Sequence, residues 1–140
     1  MRAFLTEQPE TFPWSKHLSS DLAPDKPYPL SAHKFSDNTH FGMRQLFLRT
    51  ATHGTARKYV NKTVYNYNRR KLNIGGKTGS LDGLDPKGRY DWFAGFAQSK
   101  EEPNKSVVIV VMQVHDNLRT LPATGVAGVM INHWAKEYLP

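Results

Sequence analysis

The hydrophobic pattern changes along the chain and divides it into two parts. Over residues 1–38, apolar positions follow no clear period and five prolines interrupt the segment, which predicts a loop-rich lead-in. From residue 39, apolar positions recur at helical spacing as far as Gly54, a residue suited to end a helix. We therefore predict a helix over about residues 39–53, within a folded portion that spans residues 39–140.

The middle of the chain is typical of strands and turns. Residues 60–71, "VNKTVYNYNRRK", alternate weakly and predict a short strand or hairpin arm. A further strand is predicted to carry "KLNIGGKTGS", and the turn formers of "LDGLDPKGRY" then predict a loop. Residues 91–97 and 106–114 read as two more strands, which the polar turn "QSKEEPNK" joins.

Residues 106–114, "SVVIVVMQV", are apolar at nearly every position, which predicts a strand buried between two layers. The segment "PATGVAGVMINHWAKEYL" predicts a C-terminal helix that covers one side of it, and the helix at 39–53 is the candidate for the other side. The sheet-facing stripe of the C-terminal helix is predicted to be Val126, Val129, Met130, Trp134 and Tyr138. The expected fold is α+β, with an antiparallel sheet of three or more strands packed against these two helices.

Composition narrows the functional classes. A chain of 140 residues with 39% hydrophobic residues has material for one core, and its lack of cysteine excludes disulfides and cysteine metal sites. The formal net charge of +7 favours anionic partners, although the basic residues are scattered. No apolar run reaches the length of a signal peptide or membrane span, so from the sequence as written we expect a cytoplasmic or undefined location.

The stretch "IGGKTGSLDG" carries the candidate chemistry. Lys77 offers an ammonium, Thr78 and Ser80 offer hydroxyls, and Gly79 leaves the backbone open between them. Such a combination suits one anionic ligand.

The context of this stretch resembles a known family. "MRQLFLRTATHGTARK", "IGGKTGS" and "YDWFAGFA", followed by an apolar strand and a terminal helix, resemble the C-terminal part of the penicillin-binding protein transpeptidase domain over about residues 39–139. That family shares the motifs S-x-x-K, S-x-N and K-T-G with the serine β-lactamases. The resemblance implies a partial transpeptidase-like fold and acyl transfer on peptidoglycan stem peptides or β-lactams, without a metal or organic cofactor. It also implies action at the outer face of the bacterial cytoplasmic membrane.

The resemblance assigns roles within the K-T-G stretch. Lys77 would hold the substrate carboxylate and polarise a catalytic serine, and the hydroxyls of Thr78 and Ser80 would contact that carboxylate. Gly79 would keep the strand edge accessible, and the backbone N–H of Ser80 would serve as an oxyanion donor. "GTAR" and "DWFAGFA" would support the strand.

The other two motifs occur literally but are interpreted as decoys. Ser31 and Lys34 fit S-x-x-K, and Ser36 begins an S-x-N match, yet short patterns of this kind arise by chance. The chemistry needs the lysine one turn after the serine on a rigid helix, whereas prolines precede Ser31 and capping residues follow Lys34. We expect Ser36, Asn38 and Thr39 to supply the N-terminal cap of the next helix.

These considerations predict a C-terminal fragment that lacks its nucleophile and is inactive alone. In the family the last strand pairs with an N-terminal strand, so the resemblance also implies that residues 106–114 form an unpaired apolar edge, which we expect to pair either with a second copy or with the missing N-terminal part.

Two alternatives stay open. The first is a non-catalytic module that binds a peptide carboxylate along the K-T-G strand. The second, against the main expectation of no nucleic-acid partner, is a basic nucleic-acid-binding protein that stacks bases on Tyr65 and Tyr67. Its phosphate contacts would come from Arg57, Lys58, Arg69, Arg70 and Lys71.

Overall fold

The computed structural model describes residues 11–12, 28–29, 36–116, 118 and 121–140. Four helices are present in these segments: α1 (Asp37–Thr52), α2 (Arg57–Thr63), α3 (Asn66–Lys71) and α4 (Ala123–Tyr138). The strands are β1 (Thr11–Phe12), β2 (Tyr28–Pro29), β3 (Leu72–Leu84), β4 (Lys87–Ser99) and β5 (Ser106–His115). Most of the predicted lead-in at 1–38 lies outside the described residues.

The main sheet is antiparallel, with the order β3-β4-β5. Lys77 lies opposite Ala94, which in turn lies opposite Val110. The two-residue strands β1 and β2 pair with each other separately. The predicted α+β class, the antiparallel sheet of at least three strands and the C-terminal helix are therefore confirmed.

Hydrogen bonds at the strand ends fix the direction of every backbone group in the sheet. The N–H of Lys100 donates to the carbonyl of Lys71 at 2.9 Å, and the N–H of Ser99 donates to the carbonyl of Lys105 at 3.0 Å. Because alternate residues of an antiparallel strand bond to the same neighbour, the odd-numbered residues of β3 and β5 face β4. The even-numbered residues of both strands direct their N–H and C=O groups away from the sheet.

One face of the sheet, the inner face, packs against α4. Phe93, Ile109 and Val111 are buried there and belong to a core cluster that also contains Ile131 of α4. The helices α2 and α4 also contact each other, which places α2 in the same layer. This layer contains most of the apolar core.

The buried side of α4 differs from the predicted stripe. Val129, Met130 and Tyr138 are exposed, whereas Val126 and Trp134 are partly buried against the core. The buried positions are mainly small, namely Ala123, Thr124, Gly125, Ala127, Gly128, Ile131, Asn132 and Ala135. Small side chains let the helix approach closely, and a Cβ at Gly128 would lie 2.0 Å from the hydroxyl oxygen of Thr63. The side of α4 that carries mainly small residues is therefore buried, and most of the predicted stripe of larger apolar residues is not.

Two local predictions are also wrong. Residues 60–71 form the end of α2 and all of α3 instead of a strand, because Val60 and Val64 are anchored in the core. The expected loop at 81–90 is the end of a hairpin, in which β3 and β4 extend to Leu84 and Lys87. Continuous cross-strand pairing there outweighs the turn propensity of the sequence.

The prediction that 106–114 is buried on both faces is wrong as well. The opposite face of the sheet, the outer face, exposes Trp92, Val108, Val110, Met112 and Val114. The helix at 39–53 exists as α1, but it packs on β3 rather than over β5. No helix among the described residues is long and apolar enough to cross a membrane.

Candidate functional site

The K-T-G residues lie where β3 becomes exposed. Gly75 and Gly76 are buried, whereas Lys77, Gly79 and Ser80 are exposed. The helix α1 accounts for this change, because the backbone of Phe47 lies so close to Gly75 that a Cβ there would be 3.0 Å from it. The edge of β3 beyond Gly76 is open to solvent in the part of the chain that the structure describes.

The backbone at this edge is arranged to pair with an extended ligand. Thr78 and Ser80 are even-numbered residues of β3, so their N–H and C=O groups point away from β4. The ammonium of Lys77 donates to the outward carbonyl of Thr78 at 2.6 Å. No carboxylate of the described residues forms an ion pair with Lys77, so its charge is available to an anion beside the outward N–H groups.

A second hydroxyl lies beside that of Thr78. The Oγ1 atoms of Thr55 and Thr78 are 2.7 Å apart, and either can donate. Thr55 lies in the turn between α1 and α2, where the N–H of Gly54 caps α1 by donating to the carbonyl of Arg49. The "GTAR" turn thus contributes a hydroxyl to the site as well as support, a role that the sequence analysis missed.

The Ser80 hydroxyl departs from its expected role. It donates to Oδ1 of Asp91 at 2.7 Å, on the inner face of the sheet. Asp91 is buried, and its other carboxylate oxygen lies 3.4 Å from Nε2 of His115. To reach a ligand carboxylate, the Ser80 hydroxyl would have to turn away from Asp91. The N–H of Ser80 is already directed outward, so it needs no such rearrangement.

The glycines of β3 serve different purposes. A Cβ at Gly76 would lie 2.6 Å from the carbonyl oxygen of Ala94, so the internal packing excludes a side chain there. At Gly79 the nearest atom outside the neighbouring residues would be Cβ of Trp92 at 3.7 Å, an ordinary contact. The fold itself therefore accepts a side chain at Gly79, and any requirement for glycine there comes from a ligand.

The remaining candidates do not join this site. Ser31 and Lys34 lie outside the described residues. Of the three predicted cap residues, Ser36 is the N-cap of α1, where its hydroxyl oxygen accepts a hydrogen bond from the N–H of Thr39 at 3.2 Å. Within the described segments, no group of histidine and acidic side chains is arranged to hold a metal ion.

The basic residues of the nucleic-acid hypothesis lie on and beside α2 and α3. Arg69, Arg70 and Lys71 occupy the last turn of α3, where positive charge stabilises the helix end. The Lys71 ammonium lies 4.5 Å from the centre of the Tyr67 ring, and a hydrogen bond with that side chain raises the pKa of Lys71. Tyr65 and Tyr67 are exposed. Most of these basic groups therefore have a local structural role.

Comparison with known protein families, curated proteins and solved structures finds no match to this chain. The family resemblance accordingly rests on the residues and motifs of the sequence.

Proposed function

We propose that the open edge of β3 binds the carboxylate end of an extended peptide, and that the chain is the C-terminal, K-T-G-bearing part of a penicillin-binding D,D-transpeptidase. The observation that carries the proposal is the coincidence of the motif with the open edge. Lys77 and Thr78 occupy the first positions after β3 leaves the cover of α1, and Thr78 directs its backbone groups outward.

The chemistry of binding follows from this arrangement. The ligand carboxylate accepts hydrogen bonds from the Lys77 ammonium and from the hydroxyl of the Thr55–Thr78 pair that does not donate to the other. The ligand backbone adds to β3 as a further strand and pairs with the outward groups of Thr78 and Ser80. Gly79 presents no side chain to obstruct it.

Acyl transfer needs one further group. A serine hydroxyl attacks the carbonyl of a D-alanyl-D-alanine bond or of a β-lactam, and the N–H of Ser80 donates to the oxyanion that forms. The C–N bond then breaks and its nitrogen takes up the proton lost by the serine, so D-alanine leaves from the peptide, whereas the β-lactam ring opens and keeps its amine attached. An amine of a neighbouring stem peptide then resolves the acyl-enzyme. The described residues place no serine opposite Lys77 at this edge, so we expect binding without acylation unless a segment with an S-x-x-K helix completes the site.

Binding can be tested by NMR titration of the full chain with D-alanyl-D-alanine. We expect saturable shifts of the Thr78 and Ser80 amides, and a loss of most of the affinity in Lys77→Gln, which removes the charge and keeps a polar side chain that is shorter by one atom. Lys87→Gln is the matched control, because Lys87 is an exposed lysine at the far end of the same hairpin. Unchanged amides at saturating peptide, or equal effects of the two variants, would contradict the proposal.

The catalytic part has its own test, which is incubation with a labelled penicillin followed by intact-mass measurement. The chain alone should acquire no covalent adduct, and labelling should appear when a polypeptide bearing an S-x-x-K helix is added. An adduct on Ser31 or Ser36 would show that the nucleophile is within this chain. Peptide binding without labelling in the completed mixture would instead favour the non-catalytic carboxylate-binding module.

A further inference from the structure

The free edge of β5 is long, apolar and unprotected among the described residues. Ser106–His115 contains no proline or glycine and no charged residue before its terminal histidine. Val110, at its centre, is 61% exposed, and Val108, Met112 and Val114 are exposed beside it. Natural edge strands usually carry lysine, proline or a bulge that discourages pairing. The lack of these features in β5 is typical of a strand that pairs with another strand.

The backbone of β5 is also ready for pairing. Val108, Val110 and Met112 are even-numbered, so their N–H and C=O groups point away from β4. No described residue lies on that side of the strand to accept or donate. The exposed apolar side chains and the outward backbone groups therefore belong to the same residues.

We propose that two copies of the chain pair through this edge in antiparallel fashion, about a two-fold axis near Val110. In such a pair an outward-facing residue must lie opposite another outward-facing residue whose side chain is on the same face of the sheet. A two-fold axis at Val110 meets both conditions, since it places Val110 opposite Val110 and Val108 opposite Met112. Pairing over Ser106–Val114 places the outward-facing residues of the two copies opposite each other in five pairs. Each pair forms two inter-chain hydrogen bonds, about ten in all.

Charge favours the antiparallel arrangement. Lys105 precedes β5 and is ion-paired with Glu102 at 2.9 Å, and Asp116 follows the strand, so an antiparallel copy keeps the two Asp116 carboxylates at opposite ends of the pair. Between these ends the strand is uncharged, so pairing brings no like charges together despite the net charge of +7. A parallel arrangement would place Lys105 near Lys105 and would lose the two-fold pattern of hydrogen bonds.

The resulting dimer has a six-stranded sheet with β3 at each outer edge. Its two K-T-G edges remain open to a peptide, whereas an N-terminal strand of the kind that the resemblance implies would compete with the second copy for β5. Packing of the two outer faces against each other is the competing arrangement. It would bury Trp92 and the apolar side chains of β5 but would leave the edge amides free.

Amide hydrogen exchange of the full chain separates these arrangements. The amides of Val108, Val110 and Met112 should exchange rapidly in dilute solution and slow at least about tenfold where sedimentation shows the dimer. The amides of Ile109 and Val111 bond to β4 and should be protected at all concentrations. A monomer across about a hundredfold range of protein concentration would overturn the proposal, as would a dimer whose even-numbered amides stay unprotected.

Val110→Pro tests the same inter-chain hydrogen bonds of β5 by substitution. The N–H of Val110 is not bonded to β4, so proline at this edge position should leave the fold intact while raising the dimer dissociation constant at least about tenfold. Asp82→Pro is the matched control, because Asp82 is an exposed, outward-facing residue of the other edge. The control should dimerise like the wild type. Equal weakening by both variants, with circular dichroism showing both folded, would overturn the assignment to β5.

Discussion

At the scale of single residues, substitution by alanine is expected to affect stability differently at Gly76 and Gly79, although both lie in β3. Alanine at Gly76 would press its Cβ against the carbonyl oxygen of Ala94, and backbone can yield little. We expect Gly76→Ala to lower the free energy of unfolding by about 2 kcal/mol, as overpacking does. Gly79→Ala should stay within about 1 kcal/mol of the wild type because its Cβ makes an ordinary contact. Urea unfolding measures both.

The Gly79→Ala variant also distinguishes an effect on peptide binding from an effect on stability. Under the proposed function, Gly79→Ala should weaken binding of D-alanyl-D-alanine although the protein stays folded, because the new methyl group lies on the outer face of the edge strand and meets the peptide residue opposite Gly79. Unchanged affinity in a folded Gly79→Ala variant would argue that the peptide does not run along this edge. A large loss of stability would contradict the geometry around Trp92.

The residues of the site were predictable to different degrees. Lys77, Thr78 and Gly79 were identified from the motif, because the residues that act are adjacent in sequence. Thr55 and Asp91 were not, because the contacts with Thr78 and Ser80 are made by residues 23 and 11 positions away. Such contacts form only when the turn between α1 and α2 packs against β3 and β3 pairs with β4, so no local sequence pattern predicts them.

At the scale of elements, Asn132 joins α4 to the two short helices. Its Oδ1 accepts hydrogen bonds from the N–H of Tyr65 at 3.0 Å and from Nδ2 of Asn68 at 2.9 Å, and its Nδ2 donates to the carbonyl of Thr63 at 2.7 Å. Asn132→Ala leaves these three groups without their partner, so we expect a loss of about 3 kcal/mol.

His133 provides the control for this prediction. It is the next residue of α4 but its side chain is exposed, and its contact with Glu137 is a surface pair at 3.8 Å. His133→Ala should therefore change the stability by no more than about 0.5 kcal/mol. Guanidinium unfolding of the two variants gives the comparison. Alanine has a higher helix propensity than asparagine or histidine, so similar losses in the two variants would contradict the assignment of the effect to the Asn132 hydrogen bonds.

This network also explains which elements the sequence could not predict. β4 and β5 were predicted from a run of apolar residues, and α1 from its helical period, because each signal is contained in one segment. The helices α2 and α3 have only seven and six residues, too short to be stable by themselves. They depend on Val60 and Val64 in the core and on Asn132, which is remote in sequence, so their weak alternation was misread as a strand.

At the scale of the whole molecule, the three-stranded sheet has two edges that no described residue covers beyond Gly76 and along β5, and their chemistry differs. The β3 edge beyond Gly76 carries an ammonium and hydroxyls, whereas the β5 edge carries valines and a methionine. One sheet can therefore hold an anionic ligand at one side and a second copy of itself at the other. The two proposed functions use different physical interactions, so conditions that weaken one need not weaken the other.

A rise in salt concentration should change the affinities at the two edges in opposite directions. Each copy carries a net charge of +7, so screening reduces repulsion between copies and leaves apolar strand pairing intact. Dimerisation through β5 should therefore tighten as the salt concentration rises from about 0.05 M to 0.5 M, while the affinity of Lys77 for a peptide carboxylate falls several-fold. Sedimentation and NMR titration at the same salt concentrations measure the two responses. Dimerisation that weakens with salt would mean that charges such as Lys105 and Asp116, rather than the apolar strand, hold the copies together.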